Sequence, residues 1–475
     1  MSEGGERTVV FSTLAMNQTV FFEALARALG QHGITAAHLA FHERSHQYLS
    51  ARGQRSFNIY AERDPAPRSE PFEWSALGID NPAFLLSHEK AAFEIADTRR
   101  LLDKFGSYAR AAASVLDRLR GEGRRLSMVQ ELGGFTSILA TFHAARARGI
   151  DNWFLEPSFF RGRMLLVRNS LAALPIPGPS GRQPSADLMR YLDASRSEQS
   201  AIVPRKDAHH YRRPWRKIAD RRHALRLLQK LTDKYVLGKR EEFEHIAGHA
   251  WRHARMAAKS VLLKRRYREI ESAAPFVYYP LHVPADVAIT LRSPEYLDQL
   301  ALIDYLCRVT PIPYKVAIKE HPALIGAVDY RRLKALLAAR DNLLLLDADI
   351  NNWRILKAAH ALVTINSKSG AEALLLRKPV LVLGDAFYRH STLVTAVDRL
   401  QDLERKLRAA LSSAQSIAEP DVLSYFQDVW DHTVPGELYV VEAANIERVA
   451  RSLLRVLERP VRARASPDGS SAIDD

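Results

Sequence analysis

A single cysteine, Cys307, stands in 475 residues, so no intramolecular disulfide can brace the fold, and a reducing compartment is the consistent setting. It lies in the run ALIDYLCRV and reads as a small buried hydrophobe. Long apolar runs are missing as well: no window approaches the roughly 18 to 20 apolar residues of a membrane span. The start, MSEGGERTVVFSTLA, has no basic stretch followed by a long apolar one, which argues against a secretory leader and for a cytoplasmic protein. Neither G-x-x-x-x-G-K-[ST] nor G-x-G-x-x-G occurs, so P-loop and simple dinucleotide readings have no support. Repeats of solenoid period are absent too.

What is there is an ordinary globular composition, 47% hydrophobic and 26% charged, in a chain too long for one compact domain. Its charge is uneven. Residues 201–270 hold 20 Lys and Arg against 7 Asp and Glu, a net +13 of the chain's +14. There the basic residues alternate with Trp215, Tyr235, Trp251 and Tyr267. Basic helices with aromatic anchors suit an anionic membrane surface, although a solvated helical face would have the same composition. Nucleic acid would also use such charge, but no recognised nucleic-acid module accompanies it.

Short apolar runs alternating with amphipathic stretches predict parallel β/α units. Strands are expected at 8–14, 34–41, 126–132 and 152–157, with a long helical stretch over 90–121 and a helix over 135–147. LPIPGPSGRQPSA then breaks the pattern, and a basic, helical, strand-free segment follows. A second α/β pattern runs from 275 to about 390, with helices expected at 394–415 and 439–458. The organisation expected is an α/β pair of Rossmann-like domains, 7–175 and 271–410. A basic helical insert at 176–270 separates them, and a helical closure at 411–462 and a disordered tail at 463–475 follow.

The densest chemistry lies between Lys315 and Tyr388. Lys319-Glu320-His321-Pro322 follows the apolar run VAI, and Asn366-Ser367-Lys368-Ser369-Gly370-Ala371-Glu372 follows ALVTI. Ligands of such sheets bind at the carboxyl ends of strands. Serine hydroxyls and backbone N–H groups at a helix start suit a phosphate, though an ordinary helix cap uses the same residues. His42-Glu43-Arg44-Ser45-His46 matches H-E-x-x-H, a zinc pattern that needs both histidines on one helix face. It follows a strand, where a βα loop is expected, so His42, Arg44 and His46 read better as a substrate loop. Asp347-Ala348-Asp349 matches D-x-D, but aspartates at strand ends are commonplace.

At these residues the chain resembles the bacterial capsule polysaccharide biosynthesis family, β-Kdo transferase-like enzymes of GT-B architecture. The matching elements are Lys319-Glu320-His321-Pro322, the Asn366 to Leu374 segment and Gly384-Asp385-Ala386-Phe387-Tyr388. Tyr279-Pro280-Leu281-His282-Val283-Pro284-Ala285-Asp286 is similar to the family's Gln-Val-x-x-Asp segment, with His282 in place of Gln. Glu156-Pro157-Ser158-Phe159-Phe160-Arg161-Gly162 keeps only Glu, Phe and Arg of Glu-Asp-Gly-Phe-Ile-Arg-Ser. The likeness is good over 275–390, partial over 8–170 and absent over 176–270.

The resemblance implies a metal-independent, cofactor-free glycosyltransferase with a CMP-activated sugar, Kdo in the type members, as donor. Lys319, Glu320, His321, Pro322, Asn366, Ser367, Ser369, Gly370 and Glu372 would bind the nucleotide. Within that set, His321 and the serines would hold the phosphate and Glu372 the ribose. Asp286 would be the nucleophile and Glu156 the acid/base. Because the Glu156 motif departs from the family pattern, Glu131 in Gln130-Glu131-Leu132-Gly133 competes for that role. His42, Arg44, His46 and His282 would face the acceptor, a lipid-linked or oligosaccharide glycan. The inner-membrane surface and other capsule-assembly proteins are the further partners implied. Two other readings keep the fold: transfer from a different nucleotide sugar, and a non-catalytic polysaccharide-binding or export partner.

Overall fold

The computed structural model describes residues 6–62, 72–199, 232, 237–242, 246–270, 274–412 and 417–458. Trp215, Tyr235 and the tail 463–475 lie outside them. The first sheet is built from β1 (Arg7–Thr13), β2 (Thr35–Ala40), β3 (Arg55–Asn58), β4 (Arg125–Glu131), β5 (Asp151–Pro157), β6 (Arg163–Arg168) and β13 (Val434–Pro435). Its order is β13-β6-β5-β4-β1-β2-β3. β1 to β5 run parallel, while β6 and β13 are antiparallel additions at one edge. The second sheet comprises β7 (Phe276–Pro280), β8 (Lys315–Lys319), β9 (Leu343–Leu345), β10 (Ala361–Thr364), β11 (Val380–Val382) and β12 (Thr395–Ala396). All its pairings are parallel, in the order β12-β11-β10-β7-β8-β9. Both sheets therefore have the doubly wound order, in which chain direction across the sheet reverses beside the first strand. The switch points fall between β1 and β4 and between β7 and β10.

Strand periodicity explains the layers. Val10 and Met128 face one core of the first sheet, whereas Val9, Phe11 and Val129 face the other, as a period of two requires. The helices Thr98–Gly121 and Thr136–Ala147 cover the first face. Met16–Gly30 and the helix Ala443–Leu457 cover the second. Ile446, Val449, Ala450, Leu453 and Leu454 supply the apolar stripe of that last helix. The chain thus returns from the second domain to finish the first, with β13 joining its sheet edge.

Three sequence expectations need correction. The stretch 90–121 is two helices, Ser87–Phe93 and Thr98–Gly121, separated where Glu94 takes a left-handed conformation. The 394–415 helix starts only at Leu403, after the short strand β12. Residues 42–46 are not a loop: His42 is the N-cap of a helix Glu43–Ser50.

Candidate active site

The switch point of the second sheet gathers the residues singled out by sequence. His282 and Asp286 lie in the turn after β7, His321 in the turn after β8, and Asn366 to Ser369 in the turn after β10. Asp286 caps the short helix Val287–Thr290, its Oδ1 accepting from the Ala288 N–H at 2.9 Å. The residue remains exposed. Three imidazoles feel its charge. His282 is buried and pushed down to about 4, as is His88, while His321 is lowered in the same direction. Burial is the main cause in each, and the Asp286 carboxylate opposes it. All three are therefore neutral at pH 7. Nε2 of His282 is buried without a hydrogen-bond partner among the described residues, a costly condition that a bound polar group would relieve.

His88 comes from the other domain, and sequence reasoning missed it. Its Nδ1 is 2.9 Å from Thr290 Oγ1, across 202 residues of chain. Its helix is fixed by the next residue. Glu89 accepts from the N–H and hydroxyl of Thr136, at the start of Thr136–Ala147, and is held by Lys104 at 2.6 Å. A Cβ on Gly134 would lie 2.4 Å from His88 Cγ, so only glycine admits the ring there.

The turn after β10 is built tightly. The Ser369 N–H donates to Ser367 Oγ at 3.2 Å, and the Tyr388 hydroxyl donates to the Ser367 carbonyl. A Cβ on Gly370 would come within 2.3 Å of that hydroxyl. The helix that follows, Ser369–Leu375, has only 7 residues. Asn366 Nδ2 donates to the Ala288 carbonyl and to Ser293 Oγ, tying this turn to the Asp286 segment.

Other expected donor residues point into the domain. The Lys319 ammonium donates to the Ile350 carbonyl at 2.7 Å and is pushed down to about 8 by burial, against the opposing charges of Glu372, Asp347 and Asp349. Glu320 accepts from the Gly326 N–H at 3.0 Å and from the Tyr267 hydroxyl at 3.3 Å. Burial raises it to about 7. Pro322 starts a short 3₁₀ turn. Glu372 is buried and accepts from Asn352 Nδ2 and Trp353 Nε1.

On the first domain, Glu156 accepts two 2.8 Å hydrogen bonds from Arg292, whose guanidinium also donates to the carbonyls of Leu171 and Ala172. Phe159 and Phe160 of the same motif pack against Phe426 and Trp430 of the helix Glu419–Asp431. Glu131, at the switch point of the first sheet, accepts from Gln18 at 3.0 Å and from the Tyr439 hydroxyl.

The H-E-x-x-H histidines stand one helical turn apart, the His46 N–H donating to the His42 carbonyl at 3.1 Å, but their side chains have separate partners. His42 lies 3.4 Å from Glu241 and His46 Nδ1 lies 3.0 Å from Ser56 Oγ. Arg44 sits half-buried on the same helix. Asp347 Oδ1 accepts from the Asp349 N–H at 2.9 Å, as in an ordinary aspartate turn. Among the described residues no group of three His, Cys, Asp or Glu is placed to hold a metal.

Comparison with known proteins places these elements. The model of the family described as capsule polysaccharide biosynthesis protein matches residues 136–415, more than half of the chain. A curated relative, Protein FixF of Sinorhizobium fredii, is 29% identical over 198 residues, covering 41% of this chain. The chain spans only 45% of that relative's length. Among solved structures, KpsC of Thermosulfurimonas dismutans, described as a beta Kdo 2,7 transferase, matches 80% of this chain and 98% of its own at 14% identity, with a TM-score of 0.35. An S. aureus MnaA–UDP co-structure matches 96% and 99% at 11% identity, with a TM-score of 0.29.

Proposed function

The chain belongs to the capsule polysaccharide biosynthesis family, and from that premise we propose that it is a glycosyltransferase. In this reading it transfers a sugar, Kdo, from a CMP-activated donor to a lipid-linked or oligosaccharide acceptor. The observation that carries the proposal is an exposed carboxylate, Asp286, at the switch point of the second sheet, with histidines of both domains around it. A glycosyl group leaving phosphate passes through an oxocarbenium-like state, which a carboxylate on one face can trap. Charge grows on the departing phosphate, so an N–H from His321 and the polar groups of Ser367 and Ser369 would stabilise the transition state more than the ground state. For the acceptor proton this reading prefers Glu131 to Glu156, whose two oxygens are both held by Arg292. No step in this scheme needs a metal.

The purified protein should release CMP from CMP-Kdo, and release should accelerate with the correct acceptor. Calorimetry that detects no CMP binding would remove the donor assignment; CMP binding without turnover would leave the non-catalytic reading in its place.

We also infer attachment to the inner-membrane surface. The helix Ile246–Leu263 exposes Trp251, Val261 and Leu262 at 66%, 63% and 54%; Trp251 and Leu262 share a face about three turns apart, and Val261 lies about 100° round the helix from Leu262. Lys264, Arg265 and Arg266 follow directly. Apolar anchors beside a basic cluster fit anionic lipid. The protein should float with anionic vesicles at low salt and be largely released at high salt. If it stays with the unbound fraction even at low salt, the lipid reading fails.

A further inference from the structure

The amino-terminal edge of the first sheet, opposite the cleft, holds a cavity of about 440 Å³ lined by Arg7, Arg120, Arg124, Arg125, Arg148 and Arg168. Seven-residue strands separate this edge from Glu131 and Glu156 by roughly 20 Å, so the cavity is no part of the candidate active site. Three of the arginines are neutralised locally. Arg124 pairs with Glu6 and Glu122, Arg148 with Asp117, and Arg168 with Asp151. These pairs also hold their guanidinium planes in place.

The other three differ. Arg120 donates to the Arg148 carbonyl, at the end of a helix where a cation complements the dipole. Arg7 and Arg125 open β1 and β4 side by side, paired in register, and neither guanidinium donates a hydrogen bond among the described residues. Asp151 feels the charge of Arg125 but is already held by Arg168 through two bonds, at 3.0 and 2.7 Å. Like charges directly opposite each other on neighbouring strands are unfavourable, and a bound anion would offset that repulsion. Trp153 adds an apolar wall beneath Arg168, whose guanidinium carbon lies 5.8 Å from the ring centroid.

We propose that this cavity is a second binding site, for a phosphate-bearing ligand, with Arg7 and Arg125 as its free fork. Planar guanidinium groups match phosphate oxygens in pairs, and the volume lies within the range of small-ligand sites. The phosphate can belong to a soluble phosphomonoester or to a lipid headgroup.

The test compares the wild-type chain with the Arg7→Gln/Arg125→Gln double variant. Glucose 1-phosphate is titrated by calorimetry, and vesicles of phosphatidylcholine with phosphatidic acid are used for flotation. Because neither arginine makes a side-chain hydrogen bond among the described residues, the variant should keep the wild-type melting temperature and CMP affinity. We expect at least tenfold weaker binding of one probe. Loss confined to glucose 1-phosphate makes the ligand soluble, and loss confined to the vesicles makes it a headgroup. If neither probe binds the wild type, or the double variant binds both equally well, the proposal is overturned. The active-site variant His321→Ala should leave this binding intact, which separates its fate from that of the donor assignment.

Discussion

Converting Asp286 to asparagine is expected to slow sugar transfer by at least about 10³-fold while CMP affinity stays within about threefold. Asparagine is the informative choice because the native side chain does two jobs. It caps the helix Val287–Thr290 through Ala288, and an amide oxygen can do the same. Alanine would also remove the cap, at a cost of about 1 kcal/mol, and mix a folding effect with a chemical one. The variant also removes the charge that works against the burial of His88, His282 and His321. All three imidazoles should then titrate still lower, a shift visible by NMR. Steady-state CMP release and calorimetry on one preparation decide the matter: an asparagine variant with wild-type turnover would exclude Asp286 from the reaction.

Removing Arg292 should be the most damaging single change to stability at the domain junction. Its guanidinium is 10% exposed and its partner Glu156 19%, and burial of the charges is offset by mutual pairing and by the carbonyls of Leu171 and Ala172. Arg292→Ala leaves the Glu156 carboxylate largely buried and uncompensated, which costs about 3–5 kcal/mol in comparable sites. The double variant Glu156→Gln/Arg292→Met, which leaves no orphaned charge, should recover at least about half of that loss. Urea midpoints at unchanged m value measure both. Equal damage in the single and double variants would mean that packing, and not the ion pair, holds the junction.

Much of the fold was legible because strand and helix periodicities are local. VVFST, LSMVQ and FVYYP bury alternate residues on two faces, and they appear as β1, β4 and β7 within a residue or two of the expected bounds. What escaped were Arg55–Asn58 and Arg163–Arg168, which lie outside the expected strands, and two very short strands whose existence depends on a partner already in place. Thr395–Ala396 and Val434–Pro435 have two residues each, too few to show any period. The His42 segment was misread for a related reason: nothing local marks His42 as an N-cap, and its backbone pairs with Glu241, about two hundred residues away.

The candidate site divides along the same line. Sequence by itself determined that His282, Asp286, His321, Asn366, Ser367 and Ser369 follow strands of one parallel sheet, because an apolar run followed by small polar residues is a local signal. It also placed the chain's net charge between residues 201 and 270. Only the tertiary structure brought His88 to Thr290 and Arg292 to Glu156, contacts spanning 202 and 136 residues. It likewise turned Lys319, Glu320 and Glu372 into the domain's own hydrogen bonds. The physical reason is that a strand's end fixes where a side chain begins, whereas its direction and partner depend on which surface the other domain presents.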